Sequence, residues 1–224
     1  MERLPFSIYD FFACLSSGLV TLTALAAAFT NSDAWQQTPS AVVCVVLVVV
    51  IYSVGHLVAH LASFLYEAVI VRRWLGAPSR ILLGHSPAPK GMRQLFRSYY
   101  RPLPAEIRSR VSERAGRSVE AVTSDDGVFL LAFAAAKQDA PTYARLSTFL
   151  NLYGFSRNVS LAALVAAGSL LIGALLGSAQ TGLVAPGWWA AGAFALAIGL
   201  FYRYLKFFRL YALELFVAYG TGAD

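Results

Sequence analysis

The sequence predicts an all-α integral membrane protein: four transmembrane helices, with a helical cytoplasmic insertion between the second and third. Three observations predict it. The 224-residue chain is 58% hydrophobic and 13% charged, whereas soluble domains carry roughly 25% charged residues. Four apolar runs, residues 11–29, 41–71, 159–178 and 187–202, match the roughly 20 residues that cross a bilayer. Fourteen of the 18 Lys and Arg lie between Arg72 and Arg157, in the hydrophilic middle.

The elements follow in chain order. Residues 1–10 form a short N-terminus carrying Arg3. Small residues at 24–28 resemble a signal-peptide cleavage site, but Glu2 and Asp10 offset the lone basic residue, so a retained span is expected. Loops 30–40 and 179–186 hold no Lys or Arg, while Arg203, Lys206 and Arg209 follow the fourth span. Basic residues mark the cytoplasmic side, which puts both termini and residues 72–158 in the cytoplasm. Trp35, Trp188 and Trp189 are then expected at the outer interface. Richness in Ala, Val, Leu and Arg suits a bacterial inner membrane.

Residues 72–158 hold 14 basic and 6 acidic side chains, a formal +8. Pro87, Pro89 and Gly91 read as a loop. Residues 102–116 predict a short helix, with Pro104 in its first turn and Gly116 just past its end. Glu106 with Arg110 and Glu113 with Arg117 are i,i+4 pairs. A second helix is expected over residues 124–141, capped by Asp125 or Asp126 and stopped by Pro141. Its apolar middle is too short to span and is expected to be buried. A third helix starts at Pro141 and leads into the third span, with Gly154 as a place to bend. Residues 203–224 continue the fourth span as a cytoplasmic helical extension and tail.

Charge concentrates at Lys90, Arg93, Arg97, Arg101, Arg108, Arg110, Arg114 and Arg117, facing only Glu106 and Glu113. Topology bias alone accounts for much of this. Beyond it, the surface suits anionic lipid head groups. Nucleic acid, stacked on Phe96, Tyr99 and Tyr100, is the weaker alternative, because no nucleic-acid fold signature accompanies it.

The second span carries ionisable groups. At about 100° per residue, Ser53, His56, His60, Ser63 and Glu67 share one face, and Val50, Leu57, Val58, Leu61 and Leu65 the other. Counting in from Ala41 puts the histidines in the inner-leaflet third and Glu67 near the cytoplasm. Asp10, Arg157, Arg203 and Lys206 reach that depth from the other spans. We read these residues as a polar layer at the cytoplasmic mouth, with Glu67–Arg203 as its expected ion pair and Lys206 as the alternative partner. Such a layer locks helix register, gates a pathway, or holds a metal.

The metal option uses His56, His60 and Glu67 with zinc or iron. The chain has three histidines in all, no HExxH, no phosphate-binding glycine loop and no GxSxG elbow. No cofactor is therefore expected in the leading reading. Cys14 and Cys44 lie in apolar runs and read as small buried hydrophobes.

Small residues repeat at four-residue spacing: Ser169, Gly173 and Gly177 in the third span, and Gly187, Ala191, Ala195 and Gly199 in the fourth. Such faces let helices approach closely, within one chain or between copies. The leading functional expectation is a non-enzymatic homo-oligomer coupling its basic cytoplasmic domain to the bundle, as sensor, channel-like effector or assembly platform. Anionic lipid and a cytoplasmic protein are its expected partners. The alternative is an intramembrane metal-dependent lipid-modifying enzyme. A transporter is disfavoured, since no span is broken at its middle by paired Gly or Pro.

Overall fold

The structure is a computed structural model that describes residues 8–30, 38–85, 90–118, 124–177 and 186–222. Trp35, the prolines at 87 and 89 and residues 179–185 of the predicted second outer loop lie outside them. So does the side chain of Lys90.

The described residues form helices and no strand: α1 Ile8–Phe29, α2 Ala41–Ala62, a π segment Ser63–Leu75, α3 Pro78–Leu82, α4 Lys90–Leu95, α5 Ala105–Ser118, α6 Asp125–Ala136, α7 Ala140–Leu175 and α8 Pro186–Thr221. Four helices are long and apolar enough to cross a membrane: Ile8–Phe29, Ala41–Leu83, Ala140–Leu175 and Gly187–Thr221. The chain divides into two units. Unit 1 is Met1–Tyr66 with Gly154–Tyr204, and unit 2 is Glu67–Tyr153 with Leu205–Asp224.

In unit 1, α1 packs through small residues. Ala13, Cys14, Ser17, Gly18, Thr21, Ala24, Ala27 and Ala28 are buried, at the three- and four-residue steps that keep one face of a helix turned inward. Gly18 and Gly55 meet reciprocally. A Cβ on Gly18 would lie 1.9 Å from the Ile51 carbonyl oxygen, and one on Gly55 1.8 Å from that of Cys14. The backbones of α1 and α2 thus touch where neither helix carries a side chain. On α7, Gly173 does the same against Ala28, where an added Cβ would sit 2.7 Å from the Ala28 carbonyl oxygen.

Hydroxyls in these helices mostly close on their own backbone. Ser17 Oγ donates to the Cys14 carbonyl at 3.0 Å, and Thr21 Oγ1 to that of Ser17 at 2.8 Å. This satisfies polar atoms that an apolar surrounding cannot.

Unit 2 has its own core. Val111 and Ala115 of α5 are buried, with Ile107 half-buried on the same face, while Arg110, Glu113 and Arg117 point outward. They meet Ala132 and Ala136 of α6, Leu146 of α7, and Tyr211, Leu215 and Phe216 of α8. Gly116 lies inside α5 rather than past its end. Burial of Ala115 and the Arg117–Glu113 ion pair hold that last turn, and nothing lies within 4 Å of a Cβ added at Gly116. The cap of α6 is Ser124, whose Oγ accepts from the Gly127 amide at 3.1 Å. Asp125 and Asp126 sit in the first turn instead, where a negative charge suits the helix dipole. The apolar middle of α6 is only partly covered, with Leu130 65% exposed. Helix α7 starts at Ala140 and runs through Gly154 unbroken.

Candidate functional site

The predicted polar layer is distributed along the chain as follows. The packing face of α2 is Gly55, Val58 and Ala62. Val58 is thus buried although the helical wheel groups it with Leu57 and Leu61, which are 66% and 52% exposed. His56 and His60 lie on an exposed flank outside that face. His56 stands edge-on to Tyr52, with ring centroids 4.6 Å apart, and its Nδ1 is 3.8 Å from Cys14 Sγ. Exposed Ser53 donates to its own helix at the Val49 carbonyl, 2.8 Å away. His60 and Asp10 are exposed, and Ser63 is half-buried where the π segment begins.

Half-buried Arg157 donates from Nε to Asn158 Oδ1 at 3.1 Å. Arg203 and Lys206 are exposed on α8, Arg203 in unit 1 and Lys206 in unit 2. Glu67 belongs to unit 2, where its carboxylate accepts from the Tyr153 hydroxyl at 3.5 Å. Among the described residues, no group of three or more His, Cys, Asp or Glu is placed to hold a metal ion. Among the described residues, the i,i+4 histidines therefore have no third ligand.

Two groups that the wheel does not mark tie unit 1 together. Ser160 of α7 donates to the Ala197 carbonyl of α8 at 2.8 Å, and its Oγ lies 3.1 Å from the hydroxyl of Tyr66 in the π segment. Tyr66 also packs edge-on against Phe201, centroids 5.2 Å apart. Three helices thus share one buried hydrogen-bond chain. Its only sequence signal is a serine and a tyrosine, each inside an apolar run.

The small-residue stripes divide. Ser169 and Gly173 are buried in the bundle. Gly177 follows the end of α7 with φ 66°, the left-handed turn that glycine favours. Ala191, Ala195 and Gly199 are exposed on α8.

Much of the basic run serves structure. Arg114 donates from Nη1 to the carbonyls of Tyr219 and Gly222, at 2.7 and 3.0 Å, and lies over the Tyr219 ring. It neutralises the last carbonyls of α8. Arg117 pairs with Glu113, and the Arg101 carbonyl accepts from Arg209 at 2.8 Å. Arg93, Arg97, Arg101 and Arg110 are exposed, and Arg108 is half-buried. Tyr99 is buried, and its hydroxyl donates to the Gly76 carbonyl at 2.9 Å, while that of Tyr100 donates to the Leu75 carbonyl at 2.8 Å. These two rings close the end of the π segment rather than standing open for bases. Burial raises the pKa of both phenols, that of Tyr99 strongly.

Unit 2 contains a cavity of about 1000 Å³. Its apolar wall includes Val71 and Leu75 of the π segment, Phe129 and Leu130 of α6 and Met92 of α4. Its polar side carries Arg72, Arg73 and Arg80, with His85, Asp126 and Glu67. Arg80 pairs with Asp126 at 3.1 Å, and His85 Nδ1 is 2.8 Å from Asp125 Oδ1. Arg72 and Arg73 make no side-chain hydrogen bond or ion pair among the described residues.

No protein-family model matches the chain, and neither the curated proteins nor the solved structures contain a match to it.

Proposed function

We propose that the protein is a non-enzymatic, homo-oligomeric inner-membrane protein of bacterial type that couples a basic cytoplasmic domain, unit 2, to a membrane bundle, unit 1. Both termini and residues 72–158 face the cytoplasm in this reading, as the Lys and Arg distribution favours. The observation that carries the proposal is helix continuity. Helix α7 supplies residues 140–153 to unit 2 and 154–175 to unit 1 without a break, and α8 supplies 186–204 to unit 1 and 205–221 to unit 2. In this reading a change in the core of unit 2 is passed along these shared helices to unit 1. The exposed imidazoles of α2 and the exposed Ala191, Ala195 and Gly199 of α8 support assembly with further copies. Polar groups in a bilayer seek a partner, and small residues allow close approach.

Spin labels test the coupling. A Cβ at Gly168 or at Gly192 meets no atom within 4 Å, so cysteines there carry labels on α7 and α8 within unit 1. The background is Cys14→Ala/Cys44→Ala. Leu215, fully buried in unit 2, is then changed to Ala. Coupling predicts a shift of the 168–192 distance distribution on the ångström scale. An unchanged distribution, with unit 2 visibly loosened by proteolysis, refutes it. Fusion reporters at residue 100 that read as external refute the orientation, and a one-copy mass in native-like discs refutes assembly.

A further inference from the structure

We infer that the cavity of unit 2 is a binding site for an anionic phospholipid, with Arg72 and Arg73 taking the phosphate and the wall of Val71, Leu75, Phe129 and Met92 taking the glycerol and first acyl carbons. This goes beyond the coupling reading but rests on its placement of unit 2 beside a membrane.

The polar side comes first. Of the three guanidiniums at the cavity, Arg80 is spent on Asp126. Arg72 and Arg73 have no partner among the described residues. Two guanidiniums lining one cavity each offer planar donors that match phosphate oxygens, and Arg does this better than Lys. The apolar side decides the rest of the ligand. Val71 and Leu75 are buried, yet Leu130 is 65% and Trp74 60% exposed at the same cavity. A volume near 1000 Å³ stands at the upper end for small-molecule sites. A bare phosphate leaves that volume and the apolar wall unused. A molecule with a phosphate and an apolar body meets both.

Chain continuity supplies the source. The π segment continues α2 without a break, so Arg72, Arg73 and Trp74 stand ten to twelve residues beyond Ala62 on the most apolar of the four helices. Arg and Trp together are the residues that sit at head-group depth. The predicted lipid surface at Lys90–Arg117 is a different set of residues, and two of those, Arg114 and Arg117, are already engaged in contacts within unit 2.

The test uses the full chain with Trp35, Trp188 and Trp189 changed to Phe, leaving Trp74 as the reporter. It is reconstituted with phosphatidylcholine alone, or with brominated phosphatidylglycerol or brominated phosphatidylcholine at equal fractions. Phosphatidylglycerol is expected to quench Trp74 severalfold more than phosphatidylcholine. Arg72→Gln/Arg73→Gln removes that preference, while Arg97→Gln/Arg110→Gln, the same loss of charge outside the cavity, retains it. Should the first pair fail to fold, Leu130→Glu places an acid in the cavity and must also abolish the preference. Equal quenching by both lipids, or equal loss in the two arginine pairs, overturns the site. Relief of quenching by millimolar inorganic phosphate or glycerol phosphate overturns the lipid as source and leaves a soluble phosphate as the ligand. The readout does not involve the 168–192 distance, so failure of the site and failure of coupling are separable.

Discussion

The tightest point of unit 1 makes its clearest prediction, the substitution Gly55→Ala. The new methyl would lie 1.8 Å from the Cys14 carbonyl oxygen and 2.5 Å from the carbonyl carbon. Ordinary carbon–oxygen contact begins at about 3.3 Å, so α1 and α2 must part by roughly 1.5 Å at their crossing. Both atoms that clash are backbone, and no rotamer can absorb the overlap. A gap of 0.5–1 Å already forfeits about a quarter to a half of each dispersion well. Overpacking of this kind costs about 1–3 kcal/mol, and the absence of compressible side chains places Gly55→Ala near the top of that range. Reversible denaturation in mixed micelles measures it. Gly168→Ala is the control: nothing lies within 4 Å of its added Cβ, and replacing a helical glycine should stabilise by up to about 1 kcal/mol. Gly18→Ala is the second arm, because its Cβ would lie 1.9 Å from the Ile51 carbonyl oxygen at the same crossing. Once one methyl has parted the helices, the second meets less resistance, so the double variant should cost clearly less than the sum. A Gly55→Ala cost below about 0.5 kcal/mol, or strict additivity with Gly18→Ala, would refute the backbone contact.

Two further predictions concern hydrogen bonds. Ser160→Ala leaves the Ala197 carbonyl and the Tyr66 hydroxyl without their shared partner. It should cost about 1–2 kcal/mol, with Tyr66→Phe costing less, and a double-mutant cycle that shows no coupling between the two would sink the chain. Burial holds the folded-state pKa of the Tyr99 phenol above the ordinary 10.0, so the folded chain keeps a proton that the unfolded chain sheds above pH 10. The stability this gives is fully present below pH 10 and is lost as pH rises further, by up to about 1.4 kcal/mol per pH unit. Denaturation midpoints between pH 9 and 11.5 should show that slope, and Tyr99→Phe should flatten part of it. An equal slope in the variant would argue against Tyr99 as the source.

Legibility differed between levels. The four long helices could be read from apolar run length alone, because a run of 20 residues with almost no charge has few other uses. Their ends were less legible. The α5 helix passes Gly116 because packing of Ala115 outweighs a weak local stop. Helix α7 likewise continues through Gly154, with Leu146 and Ser160 buried in the units on either side. The helix contacts were harder still. The glycine stripes drew attention to the third and fourth spans, whereas the closest crossing uses Gly18 and Gly55, the single glycines of α1 and α2. The small-residue face of α1 comprises Cys14, Ser17, Gly18, Thr21 and Ala28 among its residues. It was hidden among leucines because it follows three- and four-residue steps rather than a strict GxxxG. The partners of Arg114, by contrast, lie 105 and 108 residues away, and no local pattern encodes such a contact.

The second span changes helix type along the face that the wheel describes. The wheel assumes about 100° per residue throughout, and α2 honours that as far as Ala62. In the π segment that follows, the hydrogen bonds reach five residues back, as in Gly76 N to the Val71 carbonyl at 2.7 Å. A π turn holds more residues, so each one rotates the chain less. Ser53, His56 and His60 lie within α2, while Glu67 lies in the π segment and accepts from Tyr153. The same change of pitch brings Tyr66 to Ser160 and precedes the arginines that reach the cavity. π-helices are rare, appear mostly as single turns, and frequently sit at functional sites. This one begins in unit 1 and ends in unit 2, under the hydroxyls of Tyr99 and Tyr100.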